Sequence, residues 1–224
     1  MRLDQYMGRM GWVSRTQATK ILKKHPMTIN TDSTTDPSLL VSHNDIIDRP
    51  YMGITQHIVR LSVTILLHKP SGYVCSDRHE GQRRSWRDLI EDCPLHKDLR
   101  CAGRLDVDTT GLLIASTDGQ FIHRIISPKF LCPKTYTVTL KKTITDEDCR
   151  QLEAGVMLDD GLTKPAQVQR LSDSSINLTL TEGKYHQVKR MCLAIHNECI
   201  GLHRWRVGKR NLGDIPPGQR RLVP

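Results

Sequence analysis

From Val59 onward the chain runs through one strand-like segment after another with few helical stretches between them, and this order constrains the fold more than any other feature. Strands that follow one another without crossover helices pair antiparallel, which argues against a doubly wound parallel sheet. The expected class is α+β, with a mixed, mainly antiparallel sheet flanked by helices. "RLSVTILLHKPSGYV" reads as a strand and a Pro-Ser-Gly turn, and "GLLIAS" as a short apolar strand closed by Asp118-Gly119. "FIHRIIS" is helical and stops before Pro128. "KTYTVTL" alternates strictly, placing Tyr136, Val138 and Leu140 on one face. "SSINLTLTEGKYHQVKRMCLAI" reads as a strand with Ile176, Leu178 and Leu180, a Glu-Gly turn, and a helix turning Val188, Met191, Cys192 and Ile195 inward. The last 24 residues hold six Lys/Arg and one Asp around Trp205, and read as a solvated tail or as a rim contacting phosphates.

Residues 1–50 form a separate expected module, 51–58 a linker marked by Pro50 and Gly53, and 59–224 the main domain. In "GWVSRTQATKILKK", Ser14 and Gln17 have capping-box spacing, and Ala18, Ile21 and Leu22 then share a helical face. Arg15, Lys20, Lys23 and Lys24 lie mostly off that face, and with Arg2 and Arg9 they oppose a single Asp4. Most such charge runs are solvated helix faces. Six positives beside the β-like "MTIN" favour an RNA-binding face.

The whole chain is basic: 33 Lys and Arg against 24 Asp and Glu give a formal charge of +9. A polyanion, most often nucleic acid, is the expected partner of such a surface. Seven cysteines, an odd number without CxxC spacing, indicate neither a disulfide framework nor a zinc site and suit a reducing compartment. The N-terminus lacks an apolar signal-peptide core and no stretch approaches a membrane span, so a cytoplasmic protein with no membrane partner is expected.

"CAGRLDVDTTGLLIASTDGQ" carries two aspartates two residues apart. As a calcium loop starting at Asp106 it fails, because the twelfth position is Thr117 and not a bidentate Glu. As a carboxylate pair for glycoside chemistry it lacks a sugar-binding aromatic shelf. In isolation an ordinary strand-entry turn would be the better reading. It is not isolated. "GRLDVDTTGLL" (103–113), "HKPSGYVCS" (68–76), the Lys-Thr-Tyr strand at 134–136, "LTKPA" (162–166) and "EGKYHQVKRM" (182–191) occur in the order in which the bacterial rRNA pseudouridine synthases carry similar blocks. The chain therefore resembles that family. "RLDQYMGRMGWVSRTQATKILKK" resembles the S4-like RNA-binding domain that precedes the catalytic domain in many members. His-Gln-Val-Lys-Arg-Met and "TKPA" resemble the small-subunit branch.

The resemblance implies the pseudouridine synthase fold behind a small N-terminal S4-like α+β domain. It implies isomerisation of one uridine of 16S rRNA, of the position-516 type, with no cofactor and no metal. A large-subunit rRNA synthase, or a non-catalytic rRNA-binding or assembly factor, is the alternative. The RNA could be free or in a partly assembled particle, and a monomer is expected. The motif match gives the working carboxylate to Asp106, as nucleophile or as proton acceptor, and leaves Asp108 as a turn-stabilising carboxylate. A working carboxylate must stay ionised where water is excluded, and desolvation opposes ionisation, so a cation must stand beside it. Lys189 matches the family's basic residue, with Arg190 as its rival. Tyr136 matches the tyrosine that stacks on uracil. Arg104, expected on Asp106's strand face, is the candidate to fill the gap left by the extruded base. Arg2, Arg15, Lys20, Lys24, Lys69, Lys164, His186, Arg190 and Arg204 are the expected RNA contacts, with His186 structural or secondary. One departure concerns the S4-like half: Pro26 stands where a glycine is expected, and Thr31-Asp32 follow Asn30.

Overall fold

Ser14 starts a helix as its spacing predicts. Its side chain accepts the Gln17 backbone N–H while the Gln17 amide oxygen accepts the Ser14 N–H, the reciprocal pair that satisfies two otherwise orphaned donors. In the computed structural model, which describes residues 1–59, 62–93 and 95–223, the chain divides into two units. One is Met1–Val63 with Asp92–Asp98; the other is Thr64–Glu91 with Leu99–Pro224. Among the described residues no helix is long and apolar enough to cross a membrane.

The first unit contains α1 (Leu3–Arg9), α2 (Arg15–Lys24), β1 (Met27–Ile29), β2 (Asp32–Thr34), β3 (Ile46–Arg49) and β4 (Ile54–Ile58). The strands form an antiparallel sheet in the order β2-β1-β3-β4. Leu3, Tyr6 and Met7 of α1 and Ala18 and Leu22 of α2 bury their side chains with Met27 and Ile47. Pro26 follows the helix C-cap His25, where proline commonly ends a helix. Asn30 opens the β1–β2 turn at φ 57°, a conformation asparagine tolerates, and the hairpin forms with Thr31 and Asp32 after it. The linker expected at 51–58 is a correction. Pro50–Met52 forms a 3-10 turn, Gly53 reverses the chain at φ 66°, and β4 pairs with β3. The proline and glycine build a tight turn between two strands, a pattern that composition alone does not separate from a tether.

The second unit contains β5 (Thr64–Lys69), the short pair β6 (Tyr73–Val74) and β7 (Arg84–Ser85), β8 (Arg100–Cys101), β9 (Thr110–Ser116), α3 (Gly119–Ile126) and β10 (Lys134–Leu140). It continues with α4 (Asp146–Ala154), the hairpin β11 (Met157–Leu158) and β12 (Gly161–Leu162), β13 (Gln167–Ser172), β14 (Ser175–Leu180), α5 (Gln187–Ala194), β15 (Cys199–Val207), β16 (Arg210–Asn211) and β17 (Arg220–Val223). The main sheet runs β13-β14-β10-β15-β9-β5-β17, with β8 on β9 and β16 on β15. All of its pairings are antiparallel except β9 with β15. This is the mixed, mainly antiparallel sheet that the strand order implied. Val138, Leu140, Ile176 and Leu178 pack against Val188, Met191 and Cys192 of α5. Leu112 and Ile114 pack with Ile125 of α3.

Two features of this unit differ from the sequence reading. The basic C-terminal segment is neither a tail nor a rim: β15 lies in the middle of the sheet and β17 at its edge. The start of the strand expected from Arg60-Leu61 lies outside the described residues. Gly111 accounts for the parallel contact, since its φ is 108° and a Cβ there would fall 2.2 Å from the Arg204 carbonyl oxygen. Only glycine lets β9 and β15 approach this closely.

Candidate active site

The Asp106 loop, residues 102–109, joins β8 to β9, so the stretch is a turn feeding a strand. Its shape is held by backbone bonds. The Thr109 N–H donates to the Asp106 carbonyl at 3.1 Å and the Gly72 N–H to the Val107 carbonyl at 2.8 Å. Lys69, at the end of β5, adds a third anchor. Its Nζ donates to the carbonyls of Pro70 (2.9 Å), Tyr73 (2.9 Å) and Val107 (3.2 Å). The side chain is fully buried, so the RNA contact expected of Lys69 is replaced by a clamp under the loop. A buried ammonium needs its three donors satisfied, and three carbonyls supply this. Burial pushes its pKa down; the nearby Cys75, Asp108 and Asp106 pull against that shift.

Two aspartates and two basic side chains then converge. Lys189, in the first turn of α5, places Nζ 3.4 Å from Asp106 Oδ2. It lies closer to the other carboxylate, donating to Asp108 Oδ1 at 2.7 Å and Oδ2 at 2.8 Å. The expected Asp106–Lys189 pair is therefore present but shared, and Asp108, given no chemistry from the sequence, takes the shorter contacts. The Lys189 hydrogen bond holds the Asp108 carboxyl below the usual aspartate range. For Lys189 burial acts to lower the pKa, but the bond to Asp108 and the charges of both aspartates outweigh it, and the net shift is upward. His186 caps α5 in the left-handed conformation (φ 46°) and brings Nε2 to 3.5 Å from Asp106 Oδ1. Nothing in a strand–turn–helix pattern signals that left-handed residue, and so the sequence reading left His186 in a secondary role.

Tyr136 and Arg204 form a second group. Tyr136 on β10 packs partly buried against the core, with Arg204 Cζ 5.9 Å from its ring centroid, within cation–π range. Arg204 is buried, its Nε donating to the Leu112 carbonyl at 2.9 Å and Nη1 to the Arg104 carbonyl at 3.2 Å. The RNA contact expected of Arg204 is thus a correction: it ties the Asp106 loop and β9 to β15, the strand paired with that of Tyr136. Arg104 itself is exposed and sits in the loop, not on a strand face shared with Asp106.

The remaining expected residues divide. Arg190 is ion-paired with Asp160, and its Nη1 donates to the Tyr185 carbonyl at 2.8 Å, so it braces the preceding loop where an RNA contact was expected. Lys164 is exposed, its backbone N–H held by Glu182 at 2.9 Å. In the first unit Lys20 and Lys24 are exposed on α2, while Arg2 and Arg15 both bond the buried Asp4 at 3.1 Å with part of each side chain open to solvent.

A model of the family described as RNA pseudouridylate synthase matches residues 63–194, a span holding Lys69, Asp106, Asp108, Tyr136, His186 and Lys189. The chain belongs to that family. This pseudouridine synthase is 40% identical over 221 residues to the ribosomal small subunit pseudouridine synthase A of Pasteurella multocida, covering 96% of the chain and 91% of its relative. It is 38% identical over 226 residues to the protein of that name from Escherichia coli K12, covering 99% and 95%. A solved structure titled "Crystal structure of pseudouridylate synthase" superposes with a TM-score of 0.69 at 36% identity, covering 100% of the synthase and 96% of that chain.

Proposed function

We propose that this synthase converts one uridine of small-subunit (16S) ribosomal RNA, the position-516 uridine, to pseudouridine, acting on free rRNA or a partly assembled particle in the cytoplasm as a monomer. The observation that carries the reading is near-complete coverage, at 38–40% identity, of relatives whose names specify the small subunit. The reaction breaks the N-glycosidic bond, turns the uracil and rejoins it through carbon. Asp106 is the carboxylate that attacks, or that takes the sugar proton. Lys189 and His186 stand 3.4 and 3.5 Å from its two oxygens and hold its orientation beside an extruded base. Tyr136, backed by Arg204, stacks on the uracil, and Arg104, exposed in the same loop as Asp106, fills the space the base leaves. The first unit is the S4-like domain. Arg2, Arg15, Lys20 and Lys24 contact phosphates there, and Lys164 does so in the second unit; such contacts fix register without reading sequence.

The test is a pseudouridine map. Unmodified small-subunit rRNA, naked or partly assembled, is incubated with the wild type or Asp106→Asn, treated with carbodiimide and read by reverse transcription. One new stop with the wild type, absent with Asp106→Asn, is the expected result. Stops only on large-subunit rRNA would overturn the small-subunit assignment, and an active Asp106→Asn would overturn the role of Asp106.

A further inference from the structure

Tyr185 is 76% exposed, although tyrosine rings usually bury much of their area. One face of the ring is covered: His186 stacks on it with centroids 3.8 Å apart and planes 20° from parallel. That same imidazole reaches Asp106. The backbone that carries the ring is also fixed in place. Arg190 holds the Tyr185 carbonyl and pairs with Asp160, and Lys184 Nζ donates to the carbonyls of Asp160 (3.0 Å) and Gly161 (2.9 Å). The loop before α5 is thereby fastened to the β11–β12 turn, and His186 keeps a left-handed backbone that a histidine adopts at a cost. An exposed aromatic on a loop held this firmly, with one face backed and the other open, is a stacking platform.

We propose that Tyr185 stacks on a nucleobase next to the target uridine. The uridine itself must touch Asp106, and Tyr185 stands one ring farther out, so what lands on it is a neighbouring nucleotide. Unstacked bases of single-stranded RNA are commonly held on aromatic side chains in this way. Lys164, exposed, is tied to the same loop through its backbone N–H on Glu182, while the Lys184 ammonium is ion-paired with Asp160. The inference rests on the proposed function, because it names a base beside the uridine modified there.

The experiment uses rRNA in whichever form the pseudouridine map shows to be modified, with 2-aminopurine or an abasic residue replacing each base flanking the target. The wild type is expected to quench 2-aminopurine at one flanking position; Tyr185→Phe keeps the quench and Tyr185→Ala loses it. Tyr185→Ala should raise KM roughly 5- to 150-fold while kcat stays within about 3-fold, the range that losing one stacked base implies. An abasic residue at that position should cost the wild type a similar factor and cost Tyr185→Ala nothing further. Equal KM for Tyr185→Ala and wild type, or penalties that multiply, would overturn the platform while leaving the synthase reading intact. No pseudouridine with the wild type on any small-subunit rRNA would overturn both.

Discussion

Gly111→Ala should damage the second unit more than its single methyl group suggests. The native φ of 108° costs an L-residue about 1–3 kcal/mol. The added Cβ would lie 2.2 Å from the Arg204 oxygen and 2.8 Å from its carbon and nitrogen, so β9 and β15 must part. Forced separation in a packed interior costs about 1–3 kcal/mol more. The expected loss is therefore roughly 2–6 kcal/mol, a large share of the 5–15 kcal/mol that typically holds a domain together. Parting the strands also shifts Arg204, whose bonds to the Leu112 and Arg104 carbonyls hold the Asp106 loop, so activity should fall even where the protein stays folded. Urea unfolding of a Trp12→Phe background would follow Trp86 and Trp205, both in the second unit. Gly119→Ala is the control: it opens α3, has no atom within 4 Å of a new Cβ, and should be neutral or gain up to about 1 kcal/mol. If Gly111→Ala came within about 1 kcal/mol of wild type, with an unchanged urea slope, the close-approach argument would be wrong.

Lys69→Met leaves three partly buried carbonyls without their donor and should cost about 2–4 kcal/mol by urea unfolding. Burial pushes the Lys69 pKa down, so the unfolded chain binds that proton more tightly, and wild-type stability should rise with pH as the unfolded value near 10.4 is approached; the variant should lose that rise. Asp108→Asn should lower stability at neutral pH by no more than about 1 kcal/mol, because the carboxylate is largely exposed. Asp108 titrates below the usual range, so its contribution is present above about pH 4 and fades as the pH falls through the lower folded value; the gap between variant and wild type should close there. Ser14→Ala removes the α2 cap and should destabilise the first unit by about 1 kcal/mol, measured by its own thermal transition.

Local patterns carried much of this into view. The Ser14 cap, the alternation through Val138 and Leu140, and the inward face of α5 follow from spacing alone, and the structure reproduces them. What escaped was set by distant neighbours. The RNA contact expected of Lys69 gives way to a buried clamp because, besides the local Pro70 and Tyr73 carbonyls, it binds the Val107 carbonyl 38 residues away. Arg204 looked like part of a basic tail because its acceptors lie on β9 and in the Asp106 loop. α4 is hard to see in the sequence although Thr145 and Asp148 cap it reciprocally, with a shorter carboxylate than the Glu or Gln usual at that position. The closeness of Asp106 and Lys189 could be expected from family motifs, whereas the stronger hold of Asp108 on Lys189 depends on a loop path that residue spacing does not encode.

The parallel junction of β9 and β15 also bears on the order in which the molecule can be made. Thr110 and His203 meet there across 93 residues, whereas the strands of the first unit find their partners within its own short stretch of chain. Pairings of such long sequence separation form late and slow a domain toward the millisecond-to-second range. A growing polypeptide would have α2 and its small sheet in place while the Asp106 loop still lacked Lys189, Arg204 and β15. The small unit would then stand folded ahead of the site at every molecule's birth.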